Sequence, residues 1–124
     1  MRRNPELFRK LMLAIEQTSQ PLTDEAQIDG YSRDEVAYHM HRIIEAGFAE
    51  GRAIEDHSGG NTTVPNRVVI FRMTNAGHDF IDNIRDDTVW RDVRKRLTAV
   101  GGSAAVEVIK QLGAAALKAH LGLP

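Results

Sequence analysis

Residues 30–51 read GYSRDEVAYHMHRIIEAGFAEG and contain the clearest structural signals of the chain. Ser32 is a residue type that caps helices, Glu35 stands three positions later as the reciprocal partner of a capping box, and Gly47 is typical of a helix end. Between these signals, apolar residues recur at helical spacing: Val36, Ala37, Met40, Ile43 and Ile44. The pattern predicts a helix over residues 32–47 that buries one side.

After Gly47 the apolar pattern changes to that of strands. Residues 48–54 (FAEGRAI) and 67–73 (RVVIFRM) each read as a strand, and the second is richer in β-branched residues. The intervening loop, HSGGNTTVPN at 57–66, contains glycine, asparagine and proline. A helix followed by two strands that such a loop connects predicts a wing.

Upstream of the central helix, one further helix is clearly written. Asn4 can cap it and Pro5 suits its first position, which predicts a helix from about residue 5 to about residue 18. Residues 19–31 are polar and rich in turn formers. They predict one short strand around residues 26–28 and no clear second helix.

The C-terminal half is predicted to be helical. Thr74 can cap a helix over residues 75–97, but its apolar stripe changes sides after Ile84. Either the helix bends at residues 85–88, where an aspartate caps a fresh helix, or it stays straight and leaves the winged part. Ser103 can cap a last helix beyond Gly101 and Gly102. The predicted division is a winged-helix domain at 1–74 and C-terminal helices at 75–124.

The order helix, short strand, helix, strand, wing, strand, helix resembles that of winged helix-turn-helix proteins. The most specific match is GYSRDEVAYHMHRIIEAGFAEG, which resembles the recognition helix and first wing strand of that superfamily. The resemblance implies an α+β fold, mainly α with a two- or three-stranded wing sheet, plus a C-terminal helical extension. The chain departs from the superfamily in residues 22–30, where the usual second helix is shortened or lost.

A second resemblance covers nearly the whole chain. The runs IDGYSRDEVAYH and MTNAGHDFIDNIRDDTVW, together with the trailing Leu-Gly-Leu, are similar to a family of small bacterial and phage proteins known only as a domain of unknown function. The resemblance implies the fold and a phage or prophage setting. It implies no activity and no site residues.

Composition narrows the function classes. The chain has no cysteine, which excludes a disulfide framework, a cysteine nucleophile and a thiolate zinc site, and makes the cytoplasm the expected location. Its apolar stretches are too short and too interrupted by charge to suggest a membrane span. With 16 Lys and Arg against 17 Asp and Glu, the chain has no basic excess, so DNA binding requires a local patch.

Two binding hypotheses follow. The first is a small DNA-binding protein, such as a phage or prophage regulator, that contacts double-stranded DNA through side chains of the central helix and wing: Arg33, Tyr38, His41, Arg42, Asn61 and Arg67. The second is a winged-helix protein-interaction module without DNA binding. It is favoured by the outer ridge of the central helix, where three carboxylates (Asp34, Glu35, Glu45) outnumber one guanidinium.

Neither catalysis nor a metal site is expected. The sequence has no phosphate-binding glycine loop, no HExxH motif and no nucleophile elbow. His39 and His41 are two positions apart and so point to different sides of a helix. His78 and Asp82 are better spaced, but such residues near a helix start more often cap it or face solvent. No cofactor is expected.

The C-terminal helices suggest a homodimer. A second copy can cover their apolar stripe, with the tryptophan as central anchor; the residues assigned to this interface are Trp90, Val93, Leu97, Ile109, Leu112 and Ala116. The alternative is that the two helices fold back on the winged domain of their own chain.

Overall fold

The computed structural model of the chain describes residues 1–56, 60, 63–99 and 106–123. Within these ranges it forms five helices and a three-stranded antiparallel sheet, an α+β fold compatible with a winged helix that carries C-terminal helices. The elements in chain order are α1 (Pro5–Gln17), β1 (Leu22–Thr23), α2 (Arg33–Glu45), β2 (Ala49–Ile54), β3 (Arg67–Met73), α3 (Asn75–Ile84), α4 (Asp87–Ala99) and α5 (Val106–His120).

The predicted caps of the first two helices are present. The Asn4 side chain accepts the backbone N–H groups of Glu6 and Leu7, at 3.0 and 3.2 Å. Ser32 accepts the N–H of Glu35 at 3.1 Å, and the Glu35 carboxylate accepts the N–H of Ser32 at 2.9 Å. These bonds satisfy amides that no helical carbonyl reaches, so the predicted helix starts are confirmed.

The sheet has the order β1-β3-β2, and its first strand is not where the sequence predicted it. Leu22 pairs with Ile70 in β3, whereas residues 26–28 form no strand. The reason lies at Asp24, whose N–H donates to the Val68 carbonyl at 3.1 Å and whose carboxylate accepts the Val68 N–H at 2.8 Å. These two bonds complete the pairing, and the chain then turns away to α2 with no helix between.

The long predicted helix is divided into α3 and α4, as in the bent alternative. The Asp86 side chain accepts the N–H groups of Thr88 and Val89, at 2.8 and 3.0 Å, and so caps α4. Arg9 of α1 holds the junction from the other side. It is 6% exposed and donates to the carbonyls of Ile84 and Arg85, at 2.8 and 2.6 Å. These carbonyls end α3 without helical partners, so the guanidinium replaces the missing donors.

One hydrophobic cluster extends from α1 to α5. At its centre the rings of Phe48 and Phe80 stack with centroids 4.6 Å apart, and Phe8 meets Phe80 edge-on at 5.7 Å. The predicted cap at Ser103, the break at Gly101 and Gly102, and half of the wing loop (57–59, 61 and 62) lie outside the described residues. In the part of the chain that the structure describes, no helix is long and apolar enough to cross a membrane.

Candidate functional site

Arg33, the first predicted DNA contact, is held by oxygens of its own chain. Its guanidinium donates to Asp24 at 3.1 and 3.2 Å, to Asp34 at 3.1 Å and to the carbonyl of Pro65 at 3.3 Å, and it also bonds the carbonyl of Asn66. The side chain therefore links the start of α2 to the segment that leads into β3. Its hydrogen-bonding capacity is largely used within the fold.

Asp24 is the buried partner of this link, with a side chain only 3% exposed. Burial by itself raises the pKa of the Asp24 carboxyl, but the Val68 N–H and the Arg33 guanidinium outweigh burial, so the pKa lies below its usual range. Arg67 adds a weaker contact, with its Nε 3.5 Å from the Asp24 carboxylate. Asp24 and the two arginines thus form a structural cluster at the end of the β2–β3 ribbon next to its connecting loop.

The other predicted contacts on α2 are also engaged. Tyr38 is only 8% exposed, although helical geometry places it opposite Val36 and Met40, and the Arg42 guanidinium lies 5.2 Å from its ring centre. Arg42 pairs with Glu45 at 2.7 Å. His41 lies 3.9 Å from Glu45 and 3.5 Å from Glu55. The outer side of α2 is therefore partly covered and acidic.

The remaining predicted contacts lie on the wing. Arg67 has a side chain that is 61% exposed, but it stands 3.9 Å from Glu25 as well as close to Asp24. Asn61 lies outside the described residues. In the described set, each predicted arginine contact, and also His41, therefore lies within 4 Å of a carboxylate.

The side chains assigned to a dimer interface are covered within one chain. Trp90 is 4% exposed, its indole N–H donates to Glu6 at 2.8 Å, and Arg9 lies 5.4 Å from its ring centre. Val93, Leu97, Ile109 and Ala116 are buried, and Leu112 is partly buried against the same core. The fold-back alternative accounts for this stripe. The homodimer itself stays a prediction, but these residues are not a free surface for it.

A different surface is exposed, and sequence reasoning did not single it out. We call it the outer sheet face, the side of the sheet turned away from α2; its members are Thr23, Glu50, Arg52, Ile54, Arg67, Val69, Phe71 and Arg72. Five of them, from β1, β2 and β3, line one shallow concavity: Thr23, Arg52, Ile54, Arg67 and Val69. Ile54 is 62% exposed and Phe71 is 46% exposed, so large apolar side chains stand among arginines in solvent.

A bulge in β3 explains why Phe71 is exposed. Glu50 pairs with Arg72 and Gly51 pairs with Ile70, so Phe71 is an extra residue in the ladder. Val68, Ile70 and Met73 are buried, which changes the buried spacing from two residues to three at this point. In the sequence RVVIFRM, Met73 stands three positions after Ile70, whereas Ile70 stands two after Val68. This change of spacing was the sequence signal for the bulge, and it was missed.

The charges of this face are unevenly matched. Arg72 pairs with Glu50 across the strands, and Arg67 contacts the Asp24 cluster. Arg52 makes no ion pair with any residue that the structure describes. Three arginines against one glutamate give the outer sheet face a local positive charge in a chain of net charge -1.

His78 and Asp82, the better-spaced histidine and carboxylate of the sequence, both lie on α3. His78 is exposed, and Asp82 pairs with Arg85 at 2.8 Å. Within the described ranges, no three His, Asp or Glu side chains come together as a ligand set.

Comparisons with known proteins match most of the chain to one family. A family model described as "Hypothetical protein (DUF2513)" matches residues 2–103. A Haemophilus influenzae protein described as "Uncharacterized protein" is 29% identical over 116 residues, which cover 90% of this chain and 92% of that protein. No solved structure matches the chain.

Proposed function

The chain belongs to the DUF2513 family, and for it we propose the role of a protein-binding module. The outer sheet face docks a segment of a partner protein in which carboxylates flank an apolar side chain. The proposal depends on one observation, the exposure of Ile54 and Phe71 at 62% and 46% beside three arginines.

The composition of this face is that of a protein interface. Aromatic residues and arginine are enriched where proteins bind one another, and lysine is depleted. The outer sheet face has Phe71 and three arginines and no lysine. An apolar strip with a rim of arginines can bury Phe71 against a partner while the guanidinium groups bind its carboxylates.

The charge of the face selects the partner. Arg52 makes no ion pair within the described chain. Arg72 pairs with one carboxylate of the described residues, that of Glu50. An acidic segment gains these contacts without displacing any existing pair at Arg52. A basic segment would be repelled, which gives the face specificity.

The DNA-binding hypothesis finds less support in the geometry. Phosphates would have to displace carboxylates from Arg33, Arg42 and Arg67, and Glu45 and Glu55 would repel a backbone that approached α2. The DNA-binding regulator and its phage or prophage setting therefore stay predictions, and they rank second.

Selection from a displayed library of random peptides tests the proposal. We expect selected peptides to combine an aspartate or glutamate with an aromatic or aliphatic residue. We expect Phe71→Ser to weaken their binding about tenfold, as for a hot-spot residue. Val108→Ser on α5 is the matched control, because Val108 is 38% exposed and lies off the sheet. Peptides that bind wild type and Phe71→Ser equally, or no enrichment at all, would refute the proposal.

A titration with random duplex DNA at low and moderate salt separates the two functions. The protein-binding module predicts a flat anisotropy signal even at low salt, where non-specific affinity is strongest. Saturable, salt-sensitive binding that Arg42→Ala or Arg67→Ala weakens would favour the DNA-binding regulator instead.

A further inference from the structure

β2 is an edge strand whose second edge carries no strand of the described chain. The carbonyls of Phe48 and Ile54 accept the N–H groups of Thr74 and Asn66, at 3.0 and 2.8 Å, so the even-numbered positions bond toward β3. Backbone polar groups alternate sides along a strand. The amides and carbonyls of Gly51 and Ala53 therefore face the open edge, where they form a template for another strand, whereas Ala49 at the start of β2 is 4% exposed and lies in the core.

This edge has little of the usual protection against pairing. Natural edge strands carry charged residues, lysine above all, or a proline or a bulge that prevents another strand from joining, and of these β2 has only the charges of Glu50 and Arg52. β2 is six residues long, contains neither lysine nor proline, and leaves the bulge of this ribbon to β3. Gly51 is required by the fold itself, since a Cβ there would collide with the Val69 carbonyl. Its lack of a side chain also leaves the centre of the edge open.

The sequence around Gly51 is complementary in charge to itself. Residues 49–53 read Ala-Glu-Gly-Arg-Ala. If two copies meet antiparallel with Gly51 opposite Gly51, Glu50 of each copy lies opposite Arg52 of the other. Both side chains belong to the outer sheet face, so the two pairs form on one side of the joined sheet.

The neighbouring registers are worse. A slip that brings Arg52 opposite Arg52, or Glu50 opposite Glu50, places like charges across the strands, and a slip of a single residue exchanges the two faces. Arg52 has no ion pair within the described chain and is available for a second copy. Glu50 would then lie between Arg72 of its own chain and Arg52 of the other.

We propose that two copies of the chain form a two-fold dimer through β2, in a six-stranded sheet with Gly51 on the axis. This interface differs from the helical one that the sequence suggested, because it uses exposed backbone and leaves Trp90 and Leu97 in their own core. The dimer does not depend on the proposed function, although both use Arg52. In the dimer Arg52 pairs with Glu50 of the second copy, and Arg67 and Arg72 remain for a docked acidic segment. It brings two outer sheet faces side by side.

Charge reversal tests both the interface and its register. In Arg52→Glu, both cross-strand pairs become glutamate against glutamate, and in Glu50→Arg both become arginine against arginine. We expect each variant alone to dimerise at least about tenfold more weakly than wild type. Mixed in equal amounts they restore opposite charges, and we expect a heterodimer in sedimentation velocity. Circular dichroism checks that each variant is folded.

Each result of the sedimentation experiment supports or overturns the β2 dimer. The proposal expects wild type to have twice the monomer mass of 13.8 kDa at a concentration of about 100 μM, well above a micromolar dissociation constant. A wild-type monomer there would overturn it. Dimers that survive both reversals would place the contact elsewhere, and a mixture that stays monomeric would reject the register. Phe71→Ser lies outside this edge, so failure of peptide binding leaves the dimer test unaffected.

Discussion

The Nε2 atom of His39 accepts the backbone N–H of Asn4 at 2.8 Å, which ties the entry to α1 to the middle of α2. The other ring nitrogen, Nδ1, lies 2.7 Å from the Glu35 carbonyl and can only donate to it. The imidazole is therefore neutral with its proton on Nδ1, and it is 1% exposed. Burial lowers the pKa of His39, Arg42 lowers it further, and Glu35 opposes the shift.

Stability is expected to fall as the pH drops below about 6.5, the ordinary pKa of histidine. As the pH falls, His39 is protonated first in the unfolded chain, because its pKa is lower in the folded chain. The stabilisation from neutral His39 is therefore complete above pH 6.5 and is lost as the pH falls to the folded pKa. For one such group, the free energy of unfolding changes by at most about 1.4 kcal/mol per pH unit. Urea unfolding between neutral and mildly acidic pH measures it. His39→Gln should flatten the profile there, whereas the exposed His78→Gln should not.

Removal of the Asp24 carboxylate is expected to cost more than any surface change in the same loop. Asp24→Ala leaves Arg33 without its buried partner and the Val68 N–H without an acceptor, so we expect a loss of about 3–5 kcal/mol in the free energy of unfolding. Asp29→Ala, at an exposed position, should change it by less than about 0.5 kcal/mol. Equal effects in denaturant titrations at neutral pH would contradict the role given to Asp24.

Two glycines in helices are expected to respond differently to alanine. A Cβ at Gly77 would collide with the backbone carbonyl of Phe48, so α3 must shift and we expect a loss of about 2–4 kcal/mol. A Cβ at Gly113 would meet the Cγ2 of Ile84 at 2.7 Å, a methyl group held close to the backbone of a buried β-branched residue, so α5 must also shift, but by less than α3 does. Because alanine favours either helix by about 1 kcal/mol, Gly113→Ala should cost clearly less than Gly77→Ala. Thermal unfolding of both variants checks which of the two loses more stability.

Trp90→Ala is expected to destabilise the single chain. The indole is buried and hydrogen-bonded to Glu6, so its removal should cost about 3–5 kcal/mol of folding stability. If Trp90 were a central residue of a helical dimer interface, its removal would instead leave the monomer stable and only dissociate the dimer, which lowers the mass measured in solution. Circular dichroism under urea, combined with sedimentation, separates these results. An unaltered unfolding midpoint with loss of a dimer would restore the helical interface.

Local signals predicted most of the fold because they act within a few residues. Asn4, Ser32 and Glu35 cap their helices as their sequence positions indicate, and the aspartates between Ile84 and Val89 indicated one of the two alternatives left open, the break that Asp86 makes. The position of β1 was missed because it depends on Asp24 and Val68, which are 44 residues apart. A turn-rich segment gives no local sign of such a partner.

The site was harder to predict because exposure depends on neighbours from distant segments. Tyr38 has the helical phase of a surface residue, yet it is 8% exposed. Trp90 and its stripe look equally apolar whether a second chain or the same chain covers them. Phe71 is the opposite case, an aromatic residue in a strand that a bulge turns outward. Periodicity records which side chains share a face, but not what covers that face.

Trp90 is the only tryptophan of the chain, and it lies where α4 meets α1, against Arg9 and Glu6. Its intrinsic emission therefore reports on that junction without any added label. If the C-terminal helices separate before the sheet melts, the emission maximum of Trp90 will move to longer wavelength while the circular-dichroism signal of the strands persists. The junction thus gives the chain a built-in optical probe of the order in which its two halves come apart.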